Sequence, residues 1–300
     1  MKNDRKTHPQ RILLAIDGSE HAFSAIKLLK NIPLPEKSEI VALAVLAPRN
    51  TSQHAALKSA LTQAEKLLSA SGIKVSTELV VGNPSEQIAV FSEQINPDLL
   101  VMGAKGLRAT LGIFLGGVAQ QIVEYSDRPV LVVRKGYVQM KEILFATDGS
   151  DSSENAGRYL DSFALPSDVR IHAMHVLPGL VSEEMLLQTW PVGMEMVPVI
   201  PTEEMKESLE KQAAEEQRAG EELLAGVNEA FSASGKSCIT VLKRGDAATE
   251  IIEYAREKQI DTIVIGSRGL NKIKSWLLGS VSRKLLHYAP CSVMVVKTHR

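Results

Sequence analysis

Short, almost wholly apolar runs alternate along this chain with longer stretches whose apolar residues recur every three or four positions. In the first part the runs are Arg11–Ile16, Ile40–Leu46, Lys74–Val81, Leu99–Gly103 and Val130–Val133, rich in Val, Ile and Leu. Runs that stay apolar on successive positions predict strands buried on both faces, as in a parallel sheet. Between them, Leu57, Leu61, Ala64 and Leu68 fall on one face of a helix spanning 54–71. Pro84, after Gly82–Asn83, sits where a helix can begin, and Pro97–Asp98 ends it. Such alternation predicts an α/β fold: a doubly wound parallel sheet with right-handed crossovers.

The pattern is written twice. Residues 11–29 match 141–160, and Asp-Gly-Ser at 17–19 returns at 148–150, an offset of 131 (148 − 17). Val45 and Val176 keep that offset. Gly82, Gly103 and Gly116 map instead to Gly245, Gly266 and Gly279, an offset of 163 (266 − 103). The second copy therefore carries an insertion of 32 residues (163 − 131), best placed within 178–210. The copies divide as 1–137 and 138–300, across a short joint near Arg134–Met140.

Each copy holds a glycine loop after its fourth strand. The second reads Gly266-Ser-Arg-Gly269, nine residues, Gly279-Ser280; the first reads Gly103-Ala-Lys-Gly106, nine residues, Gly116-Gly117. Glycines between a strand and a helix let bare backbone N–H groups meet a phosphate. Gly266 and Gly269 are expected to let the backbone approach a ligand without an intervening Cβ. Gly279, Ser280, Val281 and Ser282 would present N–H groups at the helix start, with the two serine hydroxyls added. Arg268 and Arg283 can balance phosphate charge. Asp148, Val176 and Gly266 end strands of one parallel sheet and so share an edge, and an acid there can accept from a ribose hydroxyl. The competing reading is a plain strand–loop–helix turn, with Asp17 and Asp148 capping the helices that follow.

Composition narrows the function. The net charge of −1 gives no basis for a nucleic-acid partner, and no apolar run is long enough for a membrane span. Two cysteines, Cys238 and Cys291, offer neither a disulfide framework nor a zinc site, and fit a cytoplasmic setting. The polar start, Met1–Gln10, does not read as a signal peptide. His172 and His175 fall on different faces of a strand, and Cys291 reads as a buried small hydrophobe.

With these motifs in hand, the chain resembles the universal stress protein family over nearly its whole length, as a tandem pair. Nucleotide-binding members of that family carry Gly-x-x-Gly, nine residues, then Gly-Ser or Gly-Thr, which is the pattern at 266–280. The resemblance implies two tandem Rossmann-like (adenine nucleotide alpha hydrolase-like) domains, each a five-stranded parallel sheet flanked by helices. It implies ATP as ligand, accompanied by Mg²⁺. Thr147 and Asp148 would meet the ribose or base, and Val176 would hold adenine through its backbone. Gly266, Arg268 and Gly269 would flank ribose and phosphates, and Gly279, Ser280, Val281 and Ser282 would hold the phosphate tail. It also implies that the closing strands, 130–133 and 293–296, pair the two halves internally. A homodimer of the tandem chain is a further expectation.

The first copy keeps Asp17, Val45, Gly103, Gly106 and Gly116 but has Gly117 for Ser280 and Ala119 for Ser282. Each lost hydroxyl would cost about 1.5–3 kcal/mol if it bonded a phosphate. The expectation is a strong ATP site in the second half and a weaker one in the first. The insertion, with Met185, Trp190, Met194, Met196 and four prolines at 178, 191, 198 and 201, cannot be one helix. It reads as a lid or contact surface, and the acidic run 203–222 as a helix with Met205, Leu209, Ala213 and Leu223 inward. A nucleotide-dependent stress or signalling module, with a protein partner still to be identified, is the favoured function. A slow ATPase and a scaffold acting through the insertion compete with it. There is no Walker lysine pattern, no paired metal carboxylates and no Ser/His/Asp constellation.

Overall fold

The computed structural model describes residues 9–48, 51–106, 115–180, 190–192, 195–197, 202–269 and 278–297. The first half runs β1 (Arg11–Ile16), α1 (Glu20–Lys30), β2 (Glu39–Leu46), α2 (His54–Ser69), β3 (Lys74–Val81), α3 (Pro84–Ile95), β4 (Leu99–Gly103), α4 (Gly117–Tyr125) and β5 (Val130–Val133). The second runs β6 (Glu142–Ala146), α5 (Asp151–Ser162), β7 (Arg170–Leu177), a small antiparallel pair β8 (Trp190–Val192) and β9 (Glu195–Val197), α6 (Glu203–Ala233), β10 (Ser237–Arg244), α7 (Ala247–Glu257), β11 (Thr262–Gly266), α8 (Ser280–Tyr288) and β12 (Ser292–Val296).

Ten strands form one sheet in the order β10-β7-β6-β11-β12-β5-β4-β1-β2-β3. Within each half every pairing is parallel, and the order reverses beside the first strand of the half, β1 or β6. The apolar runs become central strands: β4, β5, β11 and β12 are buried at nearly every position. Helices α1, α2, α5 and α6 cover one face and α3, α4, α7 and α8 the other. Each face carries a core that continues across both halves.

The expected strand boundaries hold to within a residue, and the 54–71 helix stops at Ser69. The acidic helix is longer than expected, reaching Ala233. Leu223 lies against the turn at Gly149 and Leu224 is buried, but Met205 is 40% exposed rather than inward. The stretch from 178 to 201 is described only at 178–180 and in the backbone of β8 and β9, so its expected role as lid or contact surface lies outside the described residues. The helix caps also differ from expectation. Ser19 and Ser150, not Asp17 and Asp148, cap α1 and α5, accepting from Ala22 N and Ser153 N. The aspartates instead accept from Ser19 N and Ser150 N, which sets the turn before each helix.

The halves meet at β5 and β12, which pair antiparallel with Val132 opposite Val293 and Val130 opposite Val295. Beyond each strand a cation crosses the joint, and the two cations, Arg134 and Lys297, stand at the repeat offset of 163 (297 − 134). Arg134 donates from Nε to Cys291 O at 3.1 Å and from one terminal nitrogen to Leu286 O at 2.9 Å and His287 O at 3.1 Å. It thereby caps the C-terminal end of α8, where a cation is favoured. Lys297 Nζ donates to Glu124 O, at the end of α4, at 2.9 Å. The connecting segment is fastened along its length: Lys135 N donates to His21 Nδ1, Gly136 N to Ser24 Oγ, and Asn31 Nδ2 to Val138 O. Asp261 then receives Lys141 N and Glu142 N.

Two outcomes follow for stability. Arg134→Met leaves three carbonyls at the joint without their charged donor and is expected to lower unfolding free energy by about 2–4 kcal/mol in denaturant titration. Lys297 is held down to about 8 from an ordinary value of 10.5, chiefly by burial, with Arg268 adding to the effect while Asp127 and Glu124 oppose it. Between those values the unfolded chain binds more protons than the folded one, so stability rises with pH across that window. Measured from pH 7 to pH 10, wild type should gain stability relative to Lys297→Met.

Candidate functional site

At the C-terminal ends of β6, β7 and β11 the second half opens into a cavity of about 520 Å³. Thr147, Asp148, Val176, Gly266, Arg268, Gly269, Gly279, Ser280, Val281 and Ser282 all line it. The ten positions singled out in this half are thus brought together. The cavity lies where the strand order reverses, the usual place for a ligand in an open parallel sheet. Met174, Ile251, Ile265 and Leu278 supply apolar walls, and Arg283 a second cation.

The glycines act differently from expectation. A Cβ at Gly266 would stand 2.7 Å from the carbonyl carbon, oxygen and Oγ of Ser152, so this glycine lets α5 pack against the end of β11. A Cβ at Gly269 would stand 2.6 Å from Asp148 Oδ2, so the second glycine makes room for a carboxylate of the protein itself. Gly279 is the exception. Its Cβ would meet Arg268 Cα, Ser267 O and Gly269 N at 3.5–3.7 Å, which is ordinary contact.

The donors are also fewer than expected. Gly279 N is spent on Ser267 O at 2.9 Å. The Ser282 hydroxyl, buried, donates to Gly266 O at 2.9 Å and so braces the strand end. Thr147 Oγ1 donates to Ser153 Oγ and accepts from Gly149 N, so this buried hydroxyl serves the turn rather than facing a ligand. What remains at the helix start are the N–H groups of Ser280, Val281 and Ser282 and the exposed Ser280 side chain. Helices α1, α3, α5, α6 and α7 begin under a capping side chain, whereas α8 begins at Gly279 with no side-chain cap.

Val176 offers a second polar edge. Met174 O accepts from Thr147 N, and Leu177 O accepts from Gly245 N. Alternate residues of a parallel strand address the same neighbour. The peptide groups of Val176 therefore point towards β6, which has already ended at Ala146. Among the described residues no neighbouring strand meets that N–H and C=O, and Val176 lines the cavity. His175, on the adjacent position, contacts Thr147 O at 2.8 Å, and buried His172 sits between Tyr254 and Glu142. Among the described residues no three His, Cys, Asp or Glu side chains converge as a metal site.

The first half repeats the geometry around a cavity of about 590 Å³, lined by Asp17, Val45, Gly103, Gly106 and Gly116. A Cβ at Gly103 would stand 2.8 Å from Ala22 N, and one at Gly106 would stand 2.7 Å from Asp17 Oδ2. Gly116 N donates to Ala104 O, and α4 starts without a side-chain cap. Of the two hydroxyls missing here, the one at Ala119 has a structural counterpart in Ser282, so one ligand-facing hydroxyl separates the loops rather than two. The apolar walls were not singled out from the sequence. The repeat offset could have found them, since Ile88 and Leu115 line the first cavity and Ile251 and Leu278 the second, each pair 163 apart (251 − 88).

Comparison with known proteins agrees with this duplicated architecture. The family model described as "Universal stress protein family" matches twice, over residues 9–134 and 140–297. A universal stress protein of Methanocaldococcus jannaschii is 30% identical over 166 residues, 55% of this chain and 87% of its own. One from Mycolicibacterium smegmatis is 24% identical over 308 residues and covers 95% of this chain and 96% of its own. The crystal structure of a universal stress protein from Archaeoglobus fulgidus superposes with a TM-score of 0.63 at 21% identity, covering 96% of this chain and 98% of that one. No helix among the described residues is long and apolar enough to cross a membrane. The chain belongs to the universal stress protein family and carries its α/β unit twice.

Proposed function

We propose that the second half, 138–300, holds ATP, and that occupancy of this site makes the protein a nucleotide-dependent stress or signalling module. The observation that carries this reading is the uncapped start of α8. Its first three residues, Ser280, Val281 and Ser282, line the cavity together with Arg268 and Arg283, and their N–H groups have no partner within the helix. A polyphosphate satisfies those donors and both cations together. At the other end, the paired N–H and C=O of Val176 fit the donor–acceptor edge of adenine, with Met174 and Ile251 as apolar neighbours. Asp148 stands between the two, where its carboxylate can accept from ribose hydroxyls. The cavity volume lies within the range usual for small-molecule sites. A Mg²⁺ accompanying the nucleotide would rest on phosphate oxygens and water with at most Asp148 from the protein. The protein acts by binding rather than by turnover. In this reading the halves 1–137 and 138–300 are the two functional domains, paired internally, and a second copy of the chain or another cytoplasmic protein reads the occupancy.

The glycines separate fold from ligand. Gly266→Ala drives a Cβ into backbone of α5 and should cost about 1–3 kcal/mol of stability. Gly279→Ala, with ordinary contacts and φ −60°, should cost about 0.5–1 kcal/mol, the loss of glycine's preference at a helix N-cap and no more.

Calorimetric titration of the purified full chain with ATP tests the site. Wild type is expected to bind one ATP tightly. The double change Ser280→Gly with Arg283→Gln, which copies the first-half residues, should weaken that binding at least tenfold, the loss of about 1.4 kcal/mol or more. Unaltered affinity would overturn the assignment.

A further inference from the structure

Each cation at the joint starts beside the glycine loop of its own half and ends on the last helix of the other. In the second half Gly266 is registered with Val296, and Ser267 N donates to Val296 O at 3.0 Å. The next residues along the two segments are Arg268 and Lys297. Arg268 lines the second cavity. Lys297 Nζ reaches across the joint to Glu124 O, in the last turn of α4. In the first half Gly103 is registered with Val133, and Ala104 N donates to Val133 O at 2.8 Å. Lys105 and Arg134 come next there, and Arg134 reaches across to the end of α8. The first turns of α4 and α8 line the first and second cavities. The loop of one cavity is thus joined, through a single cation, to the helix of the other.

The two links differ in what they can respond to. Arg134 is a guanidinium spread over Cys291 O, Leu286 O and His287 O, and a guanidinium keeps its charge. Lys297 is a half-buried ammonium whose nitrogen makes one hydrogen bond among the described residues. Its charged form is opposed by Arg268 and favoured by Asp127 and Glu124. Glu124 O belongs to the negative pole of α4, where a full positive charge is worth more than a neutral amine. The strength of this clasp therefore depends on how strongly Arg268 repels Lys297. Between partly buried groups such repulsion is screened less than between exposed ones. An anion lying on Arg268 offsets it.

We propose that Lys297 couples the second cavity to α4: an anionic ligand held at Arg268 tightens the clasp between Lys297 and Glu124 and so steadies, from the second half, the helix that opens into the first cavity. The inference rests on the reading of the second cavity as an ATP site for the identity of the anion, whereas the charge link between Arg268 and Lys297 belongs to the unliganded chain. Coupling between two events is reciprocal, so a firm clasp also favours the anion. Occupancy of one half is then felt in the other although no residue of that other half touches the ligand.

Amide hydrogen exchange in the last turn of α4, followed in the full chain, tests the link, because it reports how often that turn opens. In wild type, saturating ATP is expected to slow this exchange at least about twofold, with occupancy followed by calorimetry. Arg268→Gln, at an exposed position, should slow it by a similar factor with no nucleotide present, because the repulsion is removed at its source. In Lys297→Met the turn should exchange faster from the outset, and neither saturating ATP nor added Arg268→Gln should slow it. Thermal melting checks that each variant is folded. The inference is overturned by exchange that ignores Arg268→Gln, by exchange that ignores ATP while calorimetry shows the site filled, or by slowing that persists in Lys297→Met. Absence of ATP binding in wild type strikes the reading of the second cavity, and the Arg268→Gln comparison then decides the link by itself.

Discussion

Everything in this molecule is arranged around the antiparallel contact between β5 and β12. Each half by itself would end in a buried, almost wholly apolar edge strand, Val130–Val133 in one and Ser292–Val296 in the other. An unpaired apolar edge is an invitation to indiscriminate pairing. Placing the two against each other closes both edges and lets the cores on the two faces run through the joint. The charges follow the same twofold logic. Arg134 leaves β5 to cap α8, and Lys297 leaves β12 to cap α4, so each half finishes the other's last helix. Those two helices are also the ones whose N-termini open into the cavities. A cation held at the C-terminal end of each nine-residue helix offsets the negative pole there. The joint therefore fixes the placement of both helices that line the cavities.

Inside each site the protein treats its backbone groups unequally. Gly266 and Gly103 have no room for a side chain because a helix presses on them, and Gly269 and Gly106 have none because an aspartate does. Gly279 N and Gly116 N close the loop back onto its own start. The residues that build the loop are thus largely used up in building it. What is left for a ligand is the first turn of the helix and the peptide edge past the end of the neighbouring strand. This division explains why a glycine pattern can be read as a ligand motif from sequence although most of its glycines serve internal packing: the packing is what aims the remaining donors.

The fold was legible because its signals are local and repeated. Continuous apolar runs such as Leu99–Gly103 and Val130–Val133 have no other stable use than a strand covered on both faces, and the second copy confirms each assignment independently. The offsets of 131 and 163 located the insertion and also carried the list of site positions from one half to the other. Less legible was anything that depends on which atom faces which. The hydroxyls of Ser282 and Thr147 look alike in sequence to that of Ser280, yet two are consumed by Gly266 O and Ser153 Oγ and one stays exposed. Met205 keeps helical spacing with Leu209 but is 40% exposed. Arg134 reads as a linker cation, and its helix-capping role appears only when the halves are docked.

The internal repeat turns these distinctions into an argument about where specificity resides. Many positions under packing constraint agree between the copies, Gly103 with Gly266, Gly106 with Gly269, Asp17 with Asp148 and Ile88 with Ile251, although buried Ser282 stands against Ala119. Positions that touch little differ, as in Gly117 against Ser280 and Gln120 against Arg283. A side chain added at Gly117 meets open space, and Arg283 is exposed, so neither residue is demanded by the fold. The first turn of α4 and α8 is therefore where the charge lining a cavity can change at almost no cost in stability, while the peptide edge at Val45 and Val176 is set by where β1 and β6 stop. One end of each cavity is thus fixed by the architecture and the lining of the other end is free to differ between the halves, because the residues that distinguish the two linings are not the residues that hold the halves together.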